Sequence, residues 1–267
     1  MSIVCKQGLC YISVISDKGG AVANHYKNPP LIEALCEFRF SETTPWDVTV
    51  FGNYYNLVKG EFSQKRELRD VSMSLQRQER GFTGDIKGGG IRMQFVKADE
   101  SAMVQIASHR LIVNKLKPYK SWEVFKSLIQ DRLEDYQKVV EKATCRRVGL
   151  RYINRFDFPA KGFMVGAYLG QSDIFPPRLK QAGPPFLMRL EVPQNEDELL
   201  LVTMGTTESD RPDQVSVLLD IDYVRTNIQG LSEKDLLAHL DAAHDHIETV
   251  FELCLTDDLR RQFNQEV

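Results

Sequence analysis

The sequence predicts an α+β fold: two halves of similar element order (strand, helix, antiparallel meander, helix) sharing a mostly antiparallel sheet with helices on one side. Three observations carry this expectation. Short runs of period-two alternation follow one another with brief polar turns between them, which is the mark of an antiparallel meander. Segments with 3.6-residue periodicity arrive in only four places, enough to cover one face of a sheet. The order of elements then occurs twice, over residues 26–142 and again over 143–267, without residue-level identity between the halves. At 267 residues and 42% apolar, the chain has material for one compact domain or two intimately packed halves.

The elements follow in order. Residues 1–25 read as a loose or strand-forming leader. In PLIEALCEFRF, Ala34, Cys36, Phe38 and Phe40 fall on one face and Glu33, Glu37 and Arg39 on the other, as a half-buried strand requires. TTPWDVTVFGNYYNLVKGEF offers Thr44 as a cap, Pro45 at the first helical position, and apolar residues through Val50, Tyr54 and Leu57. VSMSLQRQ, GIRMQFVKAD, AMVQIAS and RLIVNKL are alternating strands, with GFTGDIKGGG between the first two as a glycine-rich turn. Trp122, Phe125, Ile129, Leu133 and Tyr136 then make a helical stripe that closes the first half.

The second half opens on RRVGLRYINRFDF, a long strand. It continues with a weakly helical stretch from Met164 to Leu169, the loop PPRLKQAGPP, and the strands FLMRLEVP, ELLLVTMG and QVSVLLDIDYV. Ser232 and Asp235 form a capping box, after which Leu236, Leu240, Ala243, Ile247, Val250 and Cys254 make one apolar stripe of a final long helix. Thr256 with Asp257 and Asp258 caps a short terminal helix.

Composition excludes several classes. A net charge of -3 gives no overall electrostatic reason to seek nucleic acid or an anionic membrane, so any basic site must be local. The five cysteines are odd in number and scattered, with no CxxC pair, which points to a reducing cytoplasm rather than a disulfide framework or a zinc knuckle. No apolar run has the ~20 residues of a membrane span, and LCYISVIS followed by AVAN is too short and too polar for a signal peptide.

Catalytic templates fit poorly. His239, His244 and His246 lie on one helix, but His244 sits on one flank of its apolar stripe and the other two on the opposite flank. Their spacing is not the i, i+4 pair of a helical zinc site, so no metal is expected and His244 reads as a hydrogen-bonding residue at the buried edge. GFTGDIKGGG lacks the GK[ST] ending of a phosphate loop, and there is no GxSxG elbow. Neither a catalytic residue nor a cofactor is assigned.

The charged side of the strands is the candidate site. In RRVGLRYINRFDF, Arg147, Arg151 and Arg155 face away from Val148, Leu150, Tyr152, Phe156 and Phe158. Other strands add Glu37, Arg39, Arg189, Asp220 and Asp222 to the candidate set. Arginine is suited to bidentate recognition of carboxylate and phosphate, so such a face suits an acidic partner protein or a phosphate-bearing ligand, with the alternative of cross-strand ion pairs on a solvated face. Because most aromatics of the long strand lie opposite its arginines, a nucleic-acid stacking platform is disfavoured.

PLIEALCEFRF, YKSWEVF, RVGLRYINRF, VLLDIDYV and AHDHIETVFELCLTDDLR together resemble the spaced signatures of a sporadically distributed family of uncharacterised bacterial proteins of about this size. The resemblance covers Tyr26 to Phe263 and implies a bacterial, cytoplasmic domain of patchy distribution, with no activity attached. The charged face favours a non-enzymatic binding module, and the patchy distribution suggests that it serves an accessory system of the defence or toxin-neutralisation kind. The alternative is a metal-dependent phosphohydrolase or polyphosphate- or nucleotide-binding protein. CEFRF and LDIDY are loosely similar to the ExExK and ExE strands of the triphosphate tunnel enzymes, in which paired acids hold a divalent metal.

Overall fold

A computed structural model describes residues 2–6, 9–13, 26–78, 81–163, 185–228 and 233–263. Its strands are β1 (Ser2–Lys6), β2 (Leu9–Ser13), β3 (Leu31–Phe40), β4 (Gln64–Gln78), β5 (Gly81–Val96), β6 (Ala102–Ala107), β7 (Arg110–Leu116), β8 (Cys145–Pro159), β9 (Leu187–Pro193), β10 (Glu198–Thr207) and β11 (Gln214–Thr226). The helices are α1 (Thr49–Val58), α2 (Trp122–Val139), α3 (Glu233–Cys254) and α4 (Asp257–Phe263). Strands β1 and β2 pair as an antiparallel hairpin, and the rest form a mostly antiparallel nine-stranded sheet in the order β4-β5-β6-β7-β3-β8-β11-β10-β9. The α+β fold expected from periodicity is therefore the fold observed. No helix among the described residues is long and apolar enough to cross a membrane.

The chain divides into two compact units. One, inner in sequence, is Leu35–Val148; the outer one is Met1–Ala34 with Gly149–Val267. Both use the same topology. In each, the strand that follows the first one lies at the sheet edge, β4 or β9, and the meander runs inward from it, so that β7 neighbours β3 and β11 neighbours β8.

In the inner unit the α2 stripe is buried at all five expected positions, and Ser121 caps the helix by accepting a hydrogen bond from the Val124 amide. Tyr136 stacks on Phe40, and the Tyr54 hydroxyl donates to the Arg132 carbonyl at 3.2 Å. Helix α1 departs from expectation at both ends. It begins at Thr49, not at Pro45, because the Asp47 carboxylate accepts from both the backbone and the hydroxyl of Thr49 and so organises the turn four residues later. Its buried stripe is Val50, Tyr54 and Val58 at strict i, i+4 spacing, while Leu57 is 46% exposed.

GFTGDIKGGG is likewise not a turn. It is the first part of β5, and β4 is longer than VSMSLQRQ, starting at Gln64. Glycine content argued for a loop, but pairing with β4 overrides it. The register shifts between Arg69 and Val71, opposite Ile91 and Gly88, so one extra residue of β5 bulges there. Past this bulge β6 no longer follows, since it pairs only Arg92 to Val96.

In the outer unit, α3 covers the apolar side of the strands. Leu240, Ala243 and Ile247 are fully buried, with Leu236 and Val250 at the edges of the stripe. Tyr26 donates a 2.7 Å hydrogen bond to Glu252 and sets its ring edge-on to Phe251 and Phe263. Thr256 caps α4 by accepting from the Leu259 amide. Ser232, the Met164–Leu169 stretch and most of the PPRLKQAGPP loop lie outside the described residues.

An Ile247→Asp substitution places an unpaired carboxylate at a fully buried position and is expected to cost more than about 4 kcal/mol. Ile247→Val is expected to cost about 1 kcal/mol. Thermal unfolding of both variants checks the assignment, and an unchanged melting temperature for the aspartate variant would contradict it.

Candidate functional site

The side of the outer-unit strands opposite α3 is built by alternation. On β8, Tyr152, Asn154, Phe156 and Phe158 are buried, which turns Arg151, Ile153, Arg155 and Asp157 the other way. On β11 the matching residues are Ser216, Leu218, Asp220 and Asp222; on β10 they are Leu201, Thr203 and Gly205; on β9 they are Leu187, Arg189 and Glu191. Strand register aligns Asp220, Thr203 and Arg189 in one cross-strand row and Leu218, Gly205 and Leu187 in the next.

Each arginine of this face is held by carboxylate. Arg151 Nε and Nη2 donate to the two oxygens of Asp220 at 2.7 and 2.5 Å, a bidentate pair that raises the arginine's pKa further, helped by Asp222 and Glu33. Arg155 bonds Asp157 at 3.1 Å, Asp210 at 3.2 Å and the Ser216 hydroxyl at 3.1 Å. Arg189 pairs with Glu191 at 2.9 Å and touches Thr203. Between these charged groups runs an apolar strip of Ile153, Leu218 and Leu187, the last 78% exposed. Gly205 lies in the strip because Leu187 crosses over it: a Cβ at position 205 would come within 3.0 Å of Leu187 Cδ1.

Arg147 belongs to a different group, in the inner unit. Its Nη1 donates to Glu37 Oε1, the same oxygen that accepts from Arg39 Nε at 2.7 Å, and Arg110 Nη1 stands 4.0 Å from Oε2. Alternation on β8 thus aligns Arg147, Arg151 and Arg155 on one face as expected, but their partners separate them. Glu37, Arg39 and Arg147 form one cluster; Arg151, Asp220 and Asp222 form another; Arg155 has its own acids. Sequence reasoning missed Arg110, Asp157, Ser216 and Asp210. The first three follow alternation rules already in use for their strands, whereas Asp210 comes from a turn that no periodicity announces.

The helix α3 histidines serve the outer-unit interior. His244 Nδ1 lies 2.9 Å from the Tyr152 hydroxyl and its Nε2 3.3 Å from Glu248, so both ring nitrogens are engaged. On the other flank His239 Nδ1 is 3.4 Å from Glu198, which also accepts from the Tyr223 hydroxyl at 3.0 Å; His246 packs against the Tyr223 ring. Burial raises the Tyr223 pKa, reinforced by Glu198. The half-buried thiols are poor nucleophiles: desolvation pushes Cys145 up to about 12 and Cys254 to about 11, far from the thiolate state a nucleophile needs.

No protein-family model and no curated protein matches the chain.

Burial lowers the His239 pKa below 6.5, against the opposing pull of Glu198. The unfolded chain therefore takes up a proton at this residue as pH falls through 6.5 while the folded one resists, and stability is lost on that acid side. His239→Gln should flatten the decline of the melting temperature between 6.5 and about pH 5, measured by thermal unfolding across pH; a parallel curve would show that His239 does not contribute.

Proposed function

We propose that the protein is a non-enzymatic binding module that docks a partner protein on the face of its outer-unit strands opposite α3. One observation carries this reading. An apolar strip of half-buried Ile153 and Leu218 and exposed Leu187 lies between groups of arginines already fixed by Asp220, Asp157, Asp210 and Glu191. Apolar contact area rimmed by ordered polar groups is the anatomy of a protein interface. Fixing the guanidiniums beforehand lowers the entropy lost when a partner arrives, and a phosphate at Arg151 would have to displace a bidentate carboxylate.

The hydrolase alternative draws no support from this geometry. It requires paired acids available to a divalent metal, and both oxygens of Asp220 accept from Arg151. We further propose service in a bacterial accessory system of the defence or toxin-neutralisation kind, a reading that rests on the patchy distribution implied by the sequence resemblance.

A photo-crosslinking amino acid at position 187 tests the reading against one at position 253, where Leu253 on α3 is 66% exposed. A discrete protein adduct from position 187 and none from 253 is expected in cells of the source. Arg151→Ala combined with Asp220→Ala should remove that adduct and leave the chain folded. Equal labelling from both positions, or an adduct indifferent to the double substitution, would refute docking at this face.

A further inference from the structure

We propose that Arg39 and Arg147, oriented by Glu37, form a binding site for a small phosphate-bearing molecule on the inner unit. The site is separate from the docking face and stands whether or not that face binds a protein.

The argument begins with charge. Arg39 Nε and Arg147 Nη1 donate to one and the same oxygen of Glu37, and among the described residues neither arginine forms an ion pair with another carboxylate. One negative charge therefore faces two positive ones. This contrasts with the outer unit, where Arg155 alone has two acids. The two guanidiniums and their shared carboxylate carry a formal charge of +1, and Arg110 Nη1 stands 4.0 Å from the second Glu37 oxygen. A phosphate group is anionic at neutral pH, so it supplies the negative charge that Glu37 alone does not, without removing Glu37.

Donor geometry points to the same class. Glu37 occupies Nε of Arg39 and Nη1 of Arg147, which fixes both planes while leaving the two Nη groups of Arg39 and the Nε and Nη2 of Arg147 outside its own hydrogen bonds. Guanidinium forks held in this way suit the oxygens of phosphate. The site is also accessible: the side chains of Arg39, Arg110 and Arg147 are 52%, 25% and 24% exposed, against 14% for Glu37 beneath them.

The strands align further arginines beside this pair. The Phe40 amide donates to the His109 carbonyl at 2.8 Å, which brings Arg39 beside Arg110 on neighbouring strands. Register then aligns Arg110 with Ala107 and Ala107 with Arg92. A row of arginine, methyl, arginine, arginine thus crosses β5, β6, β7 and β3, with strands about 4.8 Å apart. In the neighbouring positions Gln94 donates to Gln105 at 3.0 Å and Gln105 to Asn114 at 2.9 Å, a chain of fixed neutral amides that adds no competing acid.

Thermal shift and calorimetric titration at low ionic strength, with inorganic phosphate, AMP, triphosphate and ATP as probes and sodium chloride as the ionic-strength control, test the proposal. Wild-type protein should be stabilised by the phosphate probes beyond the salt control. Glu37→Gln keeps an accepting oxygen but removes the opposing charge, and should tighten binding by about tenfold. Arg39→Gln with Arg147→Gln should abolish it. If that variant does not fold, Arg39→Lys with Arg147→Lys keeps the charge but loses the forks, and binding should weaken by at least about tenfold. Equal response to inorganic phosphate and AMP assigns recognition to the phosphate group alone, and response to ATP in excess of triphosphate adds a contact to the nucleoside. Absence of a shift beyond the salt control, unaltered binding in Glu37→Gln, or full binding without either fork would overturn the site.

Discussion

Strict alternation along β8 is the constraint on which both faces of the sheet depend. Val148, Leu150, Tyr152, Asn154, Phe156 and Phe158 are all nearly inaccessible, so a slip of one residue would exchange six buried side chains for Arg147, Arg151, Arg155 and Asp157. Burying even one of those charges unpaired is prohibitive. Register at this strand is therefore fixed by exclusion, and with it the position of every charged group on the other side. The interior adds its own checks, since Asn154 reaches the Leu219 carbonyl and Tyr152 meets His244.

That constraint explains what was legible from residues alone. Period-two alternation gave the two sides of β3, β8 and β11, and the 3.6 period gave the stripes of α2 and α3, because in each case burial of the apolar set decides the conformation. Where burial is weak, local chemistry decided otherwise. Asp47 rather than Pro45 organised the start of α1, and the glycines of GFTGDIKGGG accepted a strand because β4 supplied a partner. Long-range pairing is not encoded in any window of neighbouring residues.

Membership of the charged groups was legible in the same uneven way. Alternation placed Glu37, Arg39, Arg147, Arg151, Arg155, Arg189, Asp220 and Asp222 on the correct side of their strands. It could not say that Arg147 shares an oxygen with Arg39, that Arg151 is saturated by Asp220, or that a turn residue, Asp210, would answer Arg155. Those facts depend on which strands become neighbours. They matter, because a saturated guanidinium and a half-compensated one have opposite chemical uses.

The bulge in β5 has a consequence for how the chain tolerates change in length. Up to Arg92 the strand is bound on both sides, by β4 and β6, and each residue is tied to the ladder that aligns Arg92 with Ala107 and Arg110. Beyond Gly88 the strand pairing among the described residues is with β4 alone, through pairs such as Met73 with Ile86 and Leu75 with Gly84. Residues added or removed there in matched pairs lengthen or shorten the ribbon without shifting the ladder behind it. The irregularity isolates the sheet from variation at the ribbon's tip, so the chain can vary in length there while its basic row stays in place.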